Sequence, residues 1–404
     1  MIPVAEAQAR VLQAISRLEA ENVSLDGCFG RVLAAPVAAR VTNPPADVSA
    51  MDGYAVRHSD RRAYRVTGVS AAGAGFHAPV GDGEAVRIFT GAPVPPGADS
   101  IILQENVTRS GDEIRLAADA TVVRGKHIRR AGHDFRAGDV LLPEGLRLSA
   151  RDLALAAAMN HAFLPCVRKP RVAILATGDE LVPPGQVPGL DQIVSSSPAG
   201  LSADIASWGG DAVQLGIAAD RAEDIRGRLE RARDHDLIVT IGGASVGDYD
   251  LVQSALAPDL AVDFWKIAMR PGKPLISGVY RGVPLLGLPG NPVSAFVCAL
   301  LFIKPAIYRF IGATDAPLRL VEAELGADIG PNDVRQDYCR ATCEALEDGR
   351  LVATPLPVQD SGMLRFLAAA QGLIVRPPHD PARKRGERVS VLPLGAPVFR
   401  ENPR

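Results

Sequence analysis

The sequence predicts a multidomain α/β plus β protein. Three observations carry that reading: strands alternate with helices from about residue 172 to 311, short β-like runs fill residues 53–145, and short strands return after Pro317. At 404 residues the chain is long enough for two to four domains.

An amphipathic helix opens the chain, with Val4, Ala7, Val11, Ala14, Ile15 and Leu18 at helical period within residues 3–20. An extended segment follows, and the proline pair in TNPPADVSAMDGYAV forces a loop. The runs YRVTGV, AVRIFT, SIILQE and EIRLAA, separated by Gly/Pro/Asp turns, read as a compact β unit. Ser149 with Asp152 three residues on begins a helix by a capping-box-like start. From Val172 onward, strands 172–176, 213–217, 237–241, the run VDFWKIAM and 285–288 alternate with helices, the pattern of a doubly wound parallel sheet, whose ligands bind at the carboxyl ends of the strands. LLGL leads through Pro-Gly-Asn-Pro into a long helix to about Ile311, whose most apolar stretch, Val293 to Ile303, is expected to stop at Lys304-Pro305, too short for a membrane span. The strands after Pro317 make a small β-barrel or sandwich.

Composition narrows the function. Hydrophobic residues are 47% and charged residues 22%, ordinary for a globular chain. A net charge of −2 excludes a chain-wide basic field for nucleic acid or an anionic membrane, and 5% aromatics argue against base stacking. Five cysteines without a CxxC pair make neither a disulfide framework nor a zinc site and fit a cytoplasmic protein. The 39 glycines and 32 prolines exceed the roughly 12% of average usage and are spread through the chain as turns.

Three strand-end loops share one chemistry: Thr177-Gly178-Asp179-Glu180, the run Gly242 to Asp250 with Gly243, Ser245, Gly247 and Asp248, and Pro289-Gly290-Asn291-Pro292-Val293-Ser294 at a helix start. Glycines let backbone N–H groups close around a phosphate, with hydroxyls and helix N-termini adding donors. Carboxylates beside such a site hold Mg²⁺, which shares its oxygen ligands with phosphate. The segment Asp263 to Pro274 adds Lys266, Arg270 and Lys273. A solvated basic strand end would account for the charges, but the Pro/Gly framing that rigidifies Lys273 points to an oxyanion clamp. Neither a Walker A loop nor a GxGxxG fingerprint is present. The loops around Asp52 and Asp134 read on composition alone as Asx turns.

Taken in order, SAMDGYA, IFTGAPVP, RRAGHDFRAGD, TGDEL, GGASVGDYD, FWKIAMRPGKP and LPGNPVS resemble the molybdopterin molybdenumtransferase family, which inserts molybdenum in molybdenum-cofactor biosynthesis and includes the E domain of gephyrin. The resemblance covers essentially the whole chain. It implies four domains: residues 1–42 with 136–168, an inserted β domain at 43–135, a molybdopterin-binding α/β domain at 169–316, and a β-barrel at 317–404. It also implies an elongated homodimer in which one subunit's α/β domain faces the other's inserted domain. Carried over by motif, the family's acidic positions fall on Asp52, Asp134, Glu180, Asp220 and Asp250, and its basic positions on Lys266, Arg270 and Lys273. Thr90, Pro289, Pro292, Arg340 and Ser361 are also implied. Departures are His133 where the family has Glu, Arg270 where some members have Lys, and Ser195-Ser196-Ser197-Pro198 in place of the usual run, with Ser196 retaining a hydroxyl.

The implied reaction cleaves adenylated molybdopterin with Mg²⁺ assistance, releases AMP and takes up molybdate, with Glu180, Asp248 and Asp250 as ligands or orienters of the cation. Implied partners are transient: the molybdopterin adenylyltransferase and recipient molybdoenzymes. The alternatives are that adenylyltransferase activity itself, and a non-catalytic scaffold of the gephyrin type.

Overall fold

The computed structural model describes residues 1–243, 251–257 and 259–395. Its first helix, Val4–Gln13, is shorter than the periodicity predicts, because residues Ala20–Ser24 form a strand that pairs antiparallel with Phe163–Val167. Val37–Ala38 pairs with Val140–Leu142, so the two ends of the first 168 residues enclose one apolar cluster around Leu33, Leu148 and Leu164. The helix Ala150–Ala158 begins as its sequence indicates: the Asp152 carboxylate accepts the Ser149 N–H at 2.7 Å and the Ser149 hydroxyl at 2.6 Å.

Between these halves lies a six-stranded sheet in the order 100–103, 53–56, 84–88, 63–70, 113–116, 107–110. All four residues of Gly53–Val56 are buried, and alternate side chains enter different clusters, Tyr54 and Val56 on one face and Ala55 on the other. That places the strand in the middle of the sheet. Gly53 is required there, since a Cβ would lie 2.0 Å from the Ile102 carbonyl oxygen.

The α/β unit orders its strands 211–218, 171–177, 237–241, 283–288, 274–280, 260–266. Val172, Ile174, Val239 and Ile241 face one cluster with the helices Val4–Gln13, Ser197–Trp208 and the long helix from Pro292, while Ala173, Leu175 and Ile238 face another with Ala222–Leu229 and Leu251–Leu256. Helices thus cover both faces, as expected of doubly wound sheets. The sheet also carries one strand the sequence did not announce: Pro274–Tyr280 runs antiparallel to both neighbours. A two-residue turn at Arg281-Gly282, with φ of 48° and 87°, joins it to Val283–Leu288. Such a turn suits the strand twist but lacks the usual Asn-Gly or Asp-Gly signature.

The long helix runs from Pro292 to Ile311 as the sequence predicts, and a wider π turn, Ala299–Ile303, precedes Pro305 and relieves the clash its ring makes with the preceding turn. The apolar stretch within it is longer than expected, since it does not stop at Lys304-Pro305. By length and composition this 20-residue helix is able to cross a membrane, but 78% of its apolar window is buried inside the protein.

In the C-terminal region, strands 336–345, 351–355, 321–325, 388–393 and 372–376 pair in succession, and the last returns to the first, closing a five-stranded barrel. Met269–Arg270, from the α/β unit, adds a short parallel strand to its edge at Gln336–Asp337.

Candidate functional site

The carboxyl ends of the parallel strands bring together the Thr177 and Pro289 loops and Gly242-Gly243, the described start of the third expected loop. Thr177 ends its strand with a buried hydroxyl that has no partner among the described residues. Gly242, at φ 96°, lies so close beneath it that a Cβ would stand 2.5 Å from the Thr177 carbonyl oxygen, and Gly243, at φ 68°, would crowd the same hydroxyl at 3.2 Å. The Gly242 N–H donates to the Leu288 carbonyl at 3.1 Å, while a Cβ on Gly290 would meet Gly242 Cα at 3.6 Å. At positions 242 and 243 only glycine permits this backbone approach, while the Gly290 contact is an ordinary van der Waals one.

Gly178 donates its N–H to the Ala218 carbonyl at 3.1 Å, and the Glu180 carboxylate folds over it. Asp179 ties this loop to the next strand end by accepting the Asp220 N–H at 3.0 Å. Asp220 itself is exposed, and Ser196 stands directly before helix Ser197–Trp208 without capping it through its side chain. Ser245, Gly247, Asp248 and Asp250 lie outside the described residues.

Pro289 is buried, Pro292 is the first residue of its helix, and Ser294 is buried in the first turn. Asn291 donates its side-chain amide to the Ser361 hydroxyl at 3.0 Å, and the Val293 N–H donates to the Ser361 carbonyl at 3.1 Å. The barrel therefore grips the third loop. Nearby, Arg340 is buried, with one guanidinium nitrogen donating to the Val358 carbonyl at 3.1 Å and its Nε without a partner among the described residues.

The basic turn divides. Lys266 Nζ stands 3.5 Å from the centre of the Trp265 ring, and neither Lys266 nor Lys273 has an ion pair among the described residues. Arg270 instead engages the barrel through Asp337, Asp333 and Asn332. The Asp337 hydrogen bond holds its guanidinium pKa above the ordinary value. Sequence reasoning missed Asp333 and Asp337, which belong to no motif and sit more than 60 residues from Arg270.

In the inserted sheet, Asp52 and Thr90 form one unit: Asp52 Oδ1 accepts the Thr90 N–H at 2.7 Å and its hydroxyl at 2.8 Å. These two bonds, the backbone one first, hold the carboxyl below the usual range. Thr90→Val removes the hydroxyl bond, so the Asp52 pKa rises toward its ordinary value, checked by carboxylate NMR titration. A depressed carboxylate contributes to stability above its unfolded pKa and loses that contribution as pH falls through the folded value; the variant narrows this window. Asp134 stands apart from this pair, accepting the Asn43 side-chain amide at 3.2 Å, and His133 donates its N–H to the Arg130 carbonyl. Among the described residues, the inserted sheet shares no apolar cluster with the α/β unit.

Three family models match the chain in order: the MoeA N-terminal region (domain I and II) over residues 2–160, a probable molybdopterin binding domain over 173–309, and the MoeA C-terminal region (domain IV) over 322–394. A molybdopterin molybdenumtransferase 2 of Mycobacterium tuberculosis is 35% identical over 389 residues, covering 93% of this chain and 95% of that protein. The molybdopterin molybdenumtransferase of Haemophilus influenzae is 34% identical, covering 77% and 78%. A molybdopterin biosynthesis MoeA protein of Pyrococcus horikoshii superposes with a TM-score of 0.85 at 30% identity, covering 98% of this chain and all of the other. With the ordered strand-end loops and the closed C-terminal barrel, these likenesses place the chain in the molybdopterin molybdenumtransferase (MoeA) family, a family of transferase enzymes.

Proposed function

We propose that this protein hydrolyses the pyrophosphate of adenylated molybdopterin, water adding to one phosphorus as AMP leaves, and passes the molybdenum of molybdate to the dithiolene sulfurs, the displaced molybdate oxygens leaving as water with the thiol protons. The observation that carries this reading is the pairing, on one rim, of a glycine-lined cradle at Thr177, Gly242 and Gly290 with two lysines that have no carboxylate partner among the described residues. The cradle suits the pyrophosphate: backbone N–H groups approach it closely, and the Thr177 hydroxyl has its hydrogen bond to give. Lys266 and Lys273 suit an oxyanion and the negative charge that grows as the phosphate bond breaks.

Mg²⁺ fits the all-oxygen character of this rim. Among the described residues no three His, Cys, Asp or Glu side chains converge as a metal site, yet Mg²⁺ needs only one or two carboxylates when phosphate oxygens and water complete its shell. Glu180 would hold it, together with Asp248 and Asp250. When bound, the ion neutralises phosphate charge and orients the bond to be cleaved.

Asp52 and Thr90 complete the site from a second copy of the chain in a cytoplasmic homodimer. This accounts for a prepared carboxylate on a unit that, among the described residues, shares no apolar cluster with its own α/β rim. Two variants test the arrangement together. Asp52→Ala and Lys273→Gln are each expected to lose turnover as folded dimers, and mixed dimers of the two to regain it, since one of their two sites is intact. Mixed dimers as inactive as the parents contradict a shared site. ATP use separates the neighbouring reading: an adenylyltransferase consumes ATP, whereas this reaction needs none.

A further inference from the structure

The three cations on the basic turn do not share one environment. Lys266 and Lys273 lack ion pairs among the described residues, while Arg270 is committed to the barrel. We infer that Arg270 is a positioning residue: by its ion pair to Asp337 it locks the turn from Ile267 to Lys273 against the C-terminal barrel, so that the two lysines are presented to the anion. The inference rests on the anion-binding reading above and assigns Arg270, Asp337 and Asn332 a role distinct from that of the lysines.

The backbone supports the lock. Met269–Arg270 pairs in parallel with Gln336–Asp337, and the Gln336 N–H donates to the Ala268 carbonyl at 2.9 Å. Asp337 is 6% exposed, so its charge needs a partner, and Arg270 is the cation that reaches it. Asn332, also buried, accepts from Arg270 at 3.3 Å. Its own amide is fixed by the carbonyls of Pro377 at 2.7 Å and Arg335 at 2.8 Å. One guanidinium thus spans Asp337, Asn332 and, at 3.5 Å, Asp333, a reach that the single ammonium of lysine does not duplicate.

The turn is pinned elsewhere too. The Ile267 N–H donates to the Lys273 carbonyl at 2.9 Å, and Ile2 brackets the turn through Lys266 and Ala268. Gly272, at φ 104°, packs so closely on the long helix that a Cβ would lie 2.5 Å from Cys298 Sγ. With the N-terminus on one side and the helix on another, the Arg270 pair is the side-chain hold from the barrel, added to the backbone pairing at Gln336–Asp337.

The experiment uses the full chain as wild type, Asp337→Asn, Arg270→Lys, Arg270→Gln, the Arg270→Gln/Asp337→Asn double variant and Lys273→Gln. Hydrogen exchange is read on peptides covering 266–273, and AMP release is read as kcat and the KM for molybdate. Asp337→Asn is expected to speed exchange in the turn about 10-fold, and to lower kcat ~10–100-fold with KM moved less than about two-fold, because a misplaced turn costs rate. Arg270→Lys should reproduce this despite its retained charge, and it carries the test if Asp337→Asn does not fold. The double variant should be no worse than Arg270→Gln alone. Wild-type exchange and turnover in Asp337→Asn overturn the inference. So does an Arg270→Gln variant whose KM for molybdate rises as far as that of Lys273→Gln. If wild type itself releases no AMP, the functional reading fails and the exchange measurement alone decides the lock, unchanged exchange refuting it.

Discussion

Lys273→Gln is expected to lower AMP release by about 10²–10³-fold, the loss found when one donor to a developing oxyanion is removed. The reason lies in how the turn is built. Lys273 contributes its backbone carbonyl to the turn, accepting the Ile267 N–H, while its side chain has no ion pair among the described residues. Glutamine preserves the backbone bond and a polar tip and removes only the charge. Steady-state AMP release should therefore collapse while the thermal transition stays in place. A variant that retains wild-type turnover removes Lys273 from the site; one that unfolds assigns it a structural role.

The largest effect on stability is expected in the barrel. Arg376 and Asp380 form an ion pair at 3.0 Å with both side chains 5% exposed, and Arg383 donates to the same carboxylate at 2.6 Å. Removing the carboxylate strands a buried guanidinium, so Asp380→Ala should cost about 3–5 kcal/mol, whereas Asp380→Asn keeps part of the hydrogen bonding and should cost less. The check is a shift in urea midpoint for the transition that reports the barrel. Desolvation raises the Asp380 pKa, but the hydrogen bonds from Arg383 and Arg376 more than offset it and leave it below the ordinary value. Its contribution is therefore present above the unfolded carboxylate pKa and fades as pH falls through the folded one. The consequence reaches the site, because the Asp380 carbonyl also accepts the Asn332 N–H at 2.8 Å, and Asn332 holds Arg270.

The legible part of this protein is the part written in local backbone chemistry. Glycine and proline mark the strand ends at Thr177-Gly178, Gly242-Gly243 and Pro289-Gly290, and the structure brings those loops together. The Ser149/Asp152 start was likewise readable, as were the central α/β unit and the C-terminal barrel. The antiparallel strand Pro274–Tyr280 was not, because Arg281-Gly282 carries no strong hairpin signal. The long helix to Ile311 was readable, but the π turn inside it was not, since it leaves no periodic trace over five residues. Arg270 shows the same limit at the site. Its motif marks it as a basic residue on a basic turn, but its partners are single aspartates on a distant barrel strand and loop, visible only once the chain has folded.

Incubating the purified protein with Mg²⁺, molybdate and adenylated molybdopterin, and measuring AMP and molybdenum cofactor together, decides whether this chain inserts molybdenum. Insertion requires AMP and cofactor to form in equal amounts, dependent on molybdate, with no ATP consumed. Absence of both products, or ATP consumption with accumulation of adenylated molybdopterin, would contradict it.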